Sequence, residues 1–151
     1  MNIYQIVFSP TGGTRRVSEI LSQGMGVDSV VTDLCVKTAD IQLPNIHEDD
    51  FAVIAMPVFA GRVPALAVER LRMVKSNGAK CVVVAVFGNR AYDDALLEMQ
   101  DVASEIGFRV IAAVAAVAEH SIIRKYGNGR PDADDEQTLR QFGADIIRKA
   151  E

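Results

Sequence analysis

The chain has 151 residues, 49% hydrophobic and 24% charged, with a net charge of −4. Its length fits one domain, 1–151, and its apolar content excludes a disordered chain. The mild negative balance argues against a general nucleic-acid surface or an anionic-membrane surface. The N-terminus shows no basic leader before an apolar segment, and the longest apolar run, Val110 to Ala118, is far too short to span a bilayer. Cys35 and Cys81 form no CxxC and are too few to ligate an iron–sulfur cluster. The expectation is a reduced, cytoplasmic protein without a membrane segment.

In chain order, Ile3 to Val7 reads as a buried strand, and Val17, Ile20, Leu21 and Met25 place a helix over Arg15 to Met25. Between them lies Phe8-Ser9-Pro10-Thr11-Gly12-Gly13-Thr14. A strand, a glycine-rich turn and a helix N-terminus direct free backbone N–H groups and the positive end of the helix dipole at one spot. Such a spot suits an anion, and phosphate best. Ser9, Thr11 and Thr14 add hydroxyl donors, while Gly12 and Gly13 permit close approach and φ > 0. No Lys follows the glycines, so this is no Walker loop; the glycines are adjacent rather than spaced, so it is no dinucleotide fingerprint. An ordinary turn that caps the helix is the competing reading.

Gly24 and Gly26 end the first helix, and Ser29 to Leu34 reads as a second strand. Cys35 to Asp50, interrupted by Pro44, predicts a loop with at most a short helix; His47 there reads as solvated. Phe51 to Met56 is a third strand, followed by the loop Pro57-Val58-Phe59-Ala60-Gly61-Arg62-Val63. Pro64 opens a helix with Ala67, Leu71 and Val74 inward, which Asn77-Gly78 ends. Cys81 to Phe87 is a fourth strand and Gly88-Asn89-Arg90-Ala91-Tyr92 its loop. Asp93 or Asp94 caps a helix with Leu96, Met99, Ala103 and Ile106 on one face. Arg109 to Val117 is a fifth strand, and Glu119 to Arg130 a polar loop. Pro131-Asp132 introduces a last helix with Leu139, Phe142 and Ile146 inward. Its acids Asp132, Asp134, Asp135 and Glu136 favour a helix N-terminus or help to dock a basic partner.

Five strands alternating with helices indicate a parallel sheet covered on both faces, with ligands beyond the carboxyl ends of the strands. The loops after strands one, three and four would meet there. On these residues the sequence resembles the flavodoxin superfamily. Ser9, Thr11, Gly12 and Thr14 fall on its Ser/Thr-x-Thr-Gly-x-Thr loop, which holds the 5′-phosphate of FMN. The resemblance implies a doubly wound five-stranded sheet of order 2-1-3-4-5 and non-covalent FMN. It gives Tyr92, four residues after Gly88, and Phe59, in Phe59-Ala60-Gly61, as walls for the flavin ring. The implied cofactor residues are Ser9, Pro10, Thr11, Gly12, Gly13 and Thr14; Pro57, Val58, Phe59, Ala60, Gly61 and Arg62; and Gly88, Asn89, Arg90, Tyr92 and Asp93. No metal ligand and no residue acting as nucleophile or general base is implied.

Ser-Pro-Thr-Gly-Gly-Thr, Pro-Val-Phe-Ala-Gly-Arg-Val-Pro-Ala, Gly-Asn-Arg-Ala-Tyr-Asp-Asp-Ala-Leu, Glu-His-Ser-Ile and Gly-Arg-Pro-Asp together look like a narrower family. It is the flavodoxin-like domain at the head of ferredoxin–flavodoxin fusion proteins of anaerobes. That resemblance implies electron transfer with an iron–sulfur, ferredoxin-type partner. The alternative is an NAD(P)H-dependent FMN reductase acting on a quinone or similar acceptor. His120 either closes the flavin site or is a hydrogen-bonded loop histidine. Arg15, Arg16 and Arg62 read as solvated, with Arg62 nearest the ring loop.

Overall fold

A strand without polar side chains takes the middle of the sheet. The computed structural model describes residues 1–88, 94–118 and 129–151. In it β1 (Ile3–Val7), β2 (Ser29–Asp33), β3 (Phe51–Pro57), β4 (Lys80–Phe87) and β5 (Arg109–Val117) form a parallel sheet in the order β2-β1-β3-β4-β5. All seven residues of β3 are buried. Helices α1 (Gly13–Gly24), α2 (Ala65–Leu71), α3 (Ala95–Glu105) and α4 (Ala133–Ala150) cover the two faces, and a short 3₁₀ turn spans Thr38–Asp40. Alternation along β3 divides the core: Phe51, Val53 and Ala55 pack with Leu21, Leu139 and Ile147 under α1 and α4, while Ala52, Ile54 and Met56 pack with Leu71, Met99 and Ala103 under α2 and α3. Each fully buried aliphatic side chain of this kind contributes about 1.5–3 kcal/mol.

The edge strands are less buried than the central ones. β5 alternates between exposed and buried positions near its end, and Val30 of β2 is exposed. Among the described residues, Ser22 Oγ is buried without a partner, whereas the Gln5 side chain is bonded from both of its polar atoms. Gln5, buried in β1, donates from Nε2 to Ser29 Oγ at 2.7 Å and accepts at Oε1 from Ser18 Oγ at 2.7 Å. In β5 an extra residue shifts the register between Cys81 and Val82, and the carbonyl of Ile111 there accepts from Lys149 Nζ at 2.7 Å.

Two sequence expectations are corrected. The second helix stops at Leu71 and continues as turns to Gly78, although Val74 is still buried. Phe142 does not face inward: it is 41% exposed. The inward stripe of α4 is Leu139, Gly143, Ile146, Ile147 and Ala150. Gly143 takes the contact position because α1 and α4 cross there with their backbones touching. A Cβ on Gly143 would collide with the carbonyl of Leu21, and one on Gly24 with the carbonyl of Arg140. Gly24 is therefore a packing glycine rather than only a helix terminator. Gly143→Ala is expected to cost about 1–3 kcal/mol by urea denaturation, the range for an overpacked core. Phe142→Ala is expected to cost under about 1 kcal/mol, the scale of a surface change.

Helix α4 starts with a reciprocal cap. Asp135 N–H donates to Asp132 Oδ1 at 2.9 Å, and Asp132 N–H donates to Asp135 Oδ2 at 3.0 Å. Arg130 grips the same carboxylate through Nε at 2.7 Å and Nη2 at 2.5 Å. The Arg130 guanidinium, outweighing burial and joined by the Asp132 N–H, pulls the Asp135 carboxyl down to about 2. A carboxyl lowered in the folded state stabilises above its ordinary value of 3.8 and loses that contribution as pH falls through the folded value. Wild-type protein should accordingly lose more stability than Asp135→Asn between about pH 4 and pH 2, followed by far-UV circular dichroism on denaturant titration.

Candidate functional site

Hydrogen bonding of the sheet extends one step past the strands and fixes where each loop departs. Phe8 N–H donates to Ala55 O at 3.1 Å, Leu34 N–H to Val7 O at 2.8 Å, Val58 N–H to Val86 O at 2.9 Å and Ala118 N–H to Phe87 O at 2.9 Å. A cleft opens at this edge. Pro10, Thr11, Gly13 and Thr14 line it from the loop after β1; Pro57, Val58 and Phe59 from the loop after β3; Val86, Phe87 and Gly88 from the end of β4; and Ala118 from the end of β5. The loops after β1 and β3 thus meet at the end of β4, where the third loop singled out in the sequence begins at Gly88. Larger open grooves lie elsewhere, one of about 470 Å³ beside Gln5 and Ser29 and one of about 910 Å³ along α3. The second borders the start of α3, where Asp94, Glu98 and Asp101 make the lining acidic.

The loop after β1 carries an unusual number of unengaged donors. Gly12, at φ 94°, is the residue before α1 and provides no side-chain cap. The N–H of Arg16 is the first to bond back into the helix, to Gly12 O at 3.0 Å, and the N–H of Arg15 goes to Ser9 Oγ at 3.0 Å. The N–H groups of Thr11, Gly12, Gly13 and Thr14 find no acceptor among the described residues. No acidic residue lies in the first turn of α1 to repel an anion. The space above Gly12 is open, since a Cβ there would meet nothing within 4 Å. Gly13 sits against β5, with a Cβ at van der Waals distance from Ala118. Arg15 and Arg16 are drawn to Glu19 at 3.0 Å and Glu136 at 2.5 Å. Unengaged backbone amides at the positive end of a helix dipole are groups that an anion can engage.

Cys35 underlies the loop, a role the sequence did not signal. Its Sγ accepts the N–H of Ser9 at 3.1 Å, and its own N–H donates to Asp33 Oδ1 at 2.8 Å. The preceding carbonyl, Leu34 O, accepts from Arg70. The corner after β2 thus braces the start of the anion loop.

The loop after β3 is a tight turn. Phe59 N–H donates to Arg62 O at 2.8 Å and Arg62 N–H to Phe59 O at 3.0 Å. Both central residues have positive φ, Ala60 at 52° and Gly61 at 77°, as a type I′ turn requires. For Ala60 this costs about 1–2 kcal/mol. The Ala60–Gly61 peptide makes no hydrogen bond to the described residues. Phe59 lines the cleft and is 40% exposed. Ala60, Gly61 and Arg62 instead border the groove along α3, and Arg62 Nη2 donates to Glu98 Oε2 at 2.6 Å. The Glu98 carboxylate beside Arg62 holds that guanidinium above its ordinary value. Asn89, Arg90, Tyr92, Asp93 and His120 lie outside the described residues.

Burial pushes the Cys35 thiol up, against the Ser9 N–H that would lower it, and burial pushes Cys81 up to about 12. Both thiols stay protonated at neutral pH, so iodoacetamide at pH 7.5 is expected to label native protein at least about tenfold more slowly than free cysteine. Mass spectrometry before and after denaturation checks this.

No protein-family model matches the sequence, and no curated protein matches it. Solved structures do match. A flavodoxin from the domain Archaea is 17% identical, with a TM-score of 0.65 over 99% of this chain and 99% of that one. A Streptococcus pneumoniae flavodoxin is 22% identical, with a TM-score of 0.64 over 97% of this chain and 99% of that one. A flavoprotein from Lactobacillus acidophilus, solved in complex with FMN, is 16% identical, with a TM-score of 0.60 over 76% of this chain and 92% of that one. With its 2-1-3-4-5 parallel sheet between two helical layers, the chain has the flavodoxin-like fold.

Proposed function

We propose that the cleft binds FMN non-covalently and that the protein carries electrons through it. The observation that carries this reading is the row of four backbone N–H groups, Thr11 to Thr14, with no acceptor among the described residues, in a loop whose Thr11, Gly13 and Thr14 line the same cleft as Phe59. The first feature suits a phosphate monoester, and the second supplies an apolar wall for a flat ring. The Lactobacillus acidophilus flavoprotein of this fold was solved with FMN, which supports the same ligand here.

In this reading the amides of Thr11 to Thr14 and the hydroxyls of Ser9, Thr11 and Thr14 hold the phosphate. Phe59 forms one wall, and Tyr92 of the fourth-strand loop the other. When bound, the isoalloxazine supplies the reversible uptake of electrons. The protein would orient the ring and keep water from one face, with the resemblance assigning the Ala60–Gly61 peptide and the residues from Gly88 to Asp93 to its polar edge. Arg62, turned to Glu98, steadies the third-strand loop. The motif set shared with the ferredoxin–flavodoxin fusions supports an iron–sulfur protein or domain as the redox partner. Cys35 and Cys81 are free thiols, which supports a reducing, cytoplasmic setting.

Titration of the apoprotein with FMN and with riboflavin tests the phosphate assignment. Gly12→Val and Thr14→Ala are expected to weaken FMN by about 1.5–3 kcal/mol, the cost of losing a hydrogen bond to a charged group, or roughly 10- to 150-fold. Riboflavin, lacking the phosphate, should change by less than about twofold. Equal losses for both ligands would sink the assignment. Catalytic turnover with NADH or NADPH would move the reading to an FMN reductase.

A further inference from the structure

The turn at Phe59–Arg62 is closed by its own two hydrogen bonds, and these do not fix it relative to the sheet. Two other bonds do. Upstream, Val58 N–H donates to Val86 O of β4 at 2.9 Å. Downstream, Val63 N–H donates to Glu98 Oε1 at 3.2 Å, while Arg62 Nη2 takes Oε2 of the same carboxylate at 2.6 Å. Glu98 lies in the first turn of α3, where its own N–H bonds to Asp94 O at 2.9 Å. Both anchors of the third-strand loop therefore belong to β4 and α3, the elements that flank the fourth-strand loop. The Arg62 side chain is 76% exposed, so the ion pair alone contributes little. The backbone bond matters more. Val63 is 6% exposed, and its N–H has no other acceptor among the described residues.

We propose that Glu98 is a positioning residue for the flavin ring: one carboxylate, bridging the Val63 amide and the Arg62 guanidinium, ties the third-strand turn to the helix behind the fourth-strand loop. This rests on the FMN reading of the cleft. Glu98 touches no part of the anion loop, so its action is confined to the ring side. A positioning role predicts a loss shared by every ligand that carries the ring, whether or not it carries a phosphate. A helix-stabilising role predicts lower stability with the ring environment unchanged.

The test uses the full chain, titrated with FMN and with riboflavin, with visible circular dichroism of the bound flavin and thermal unfolding recorded in parallel. Glu98→Ala is expected to weaken both ligands by the same factor, about tenfold, the scale of one lost backbone hydrogen bond, and to alter the flavin dichroism. Glu98→Gln keeps an acceptor for Val63 and should return both affinities to within about twofold of wild type. Glu98→Asp keeps the charge but is one carbon too short to reach, and should behave like Glu98→Ala; it decides the matter if the alanine variant does not fold. Wild-type affinities and dichroism in the alanine or aspartate variant would overturn the proposal, whatever the melting temperature. So would a loss confined to FMN, or a glutamine variant as defective as alanine. A wild-type protein that binds neither flavin would overturn the reading of the cleft itself, and this proposal with it.

Discussion

Parallel pairing is the constraint on which the rest depends. Because all five strands run the same way, their carboxyl ends share one edge, and every connection must return across a face of the sheet. The helices that make those returns bury β3 and β4 from both sides. Three loops widely separated in sequence then leave the sheet within reach of one another. Main-chain bonds continue past the strand ends at Phe8, Leu34, Val58 and Ala118, so each loop departs from a fixed point rather than from a frayed end. A rigid frame of this kind is what a site assembled from loops needs.

The loop after β1 has no fixed positive side chain turned to it among the described residues. Arg15 and Arg16 are engaged with Glu19 and Glu136, and the attraction left to the loop comes from peptide dipoles and amide hydrogens. Such donors are set by the backbone and need no side-chain ordering when a ligand arrives. Around them stand supports from other elements: Cys35 under Ser9, Ser9 Oγ under Arg15, and Ala118 against Gly13. The turn after β3 is braced in the same manner, and tolerates an alanine in a left-handed conformation because its neighbours hold it there.

Much of this was legible in the residues. The strand positions, the sheet order implied by the resemblance, and the meeting of the loops after β1 and β3 at the end of β4 all match the structure. Periodicity carried that information because burial on two faces leaves long apolar runs and burial on one face leaves a stripe. It failed where a contact is set by approach distance. Leu139, Phe142 and Ile146 share a helical spacing, yet Gly143 faces α1 and Phe142 faces solvent, because backbone contact excludes a large ring. It also failed where the partner is a main-chain amide. Nothing near Cys35 or Glu98 in sequence announces the N–H groups of Ser9 and Val63, which lie 26 and 35 residues away along the chain. Ala60 gave no signal either, since left-handed backbone is expected of glycine and asparagine.

The close crossing of α1 and α4 also bears on how the chain is made. Helix α1, of 12 residues, is about 18 Å long, with the anion loop at one end and Gly24 at the other. Gly24 and Leu21 dock on residues 140–143, which lie far from them along the chain and are synthesised well after them. During translation, strand β1 and its loop emerge early, but the helix that aims the loop stays unclamped until residues 133–150 have left the ribosome. A nascent chain would therefore hold the whole loop while lacking its final alignment. Final alignment of the loop is coupled to closure of the α1–α4 layer rather than to the appearance of the loop's own residues.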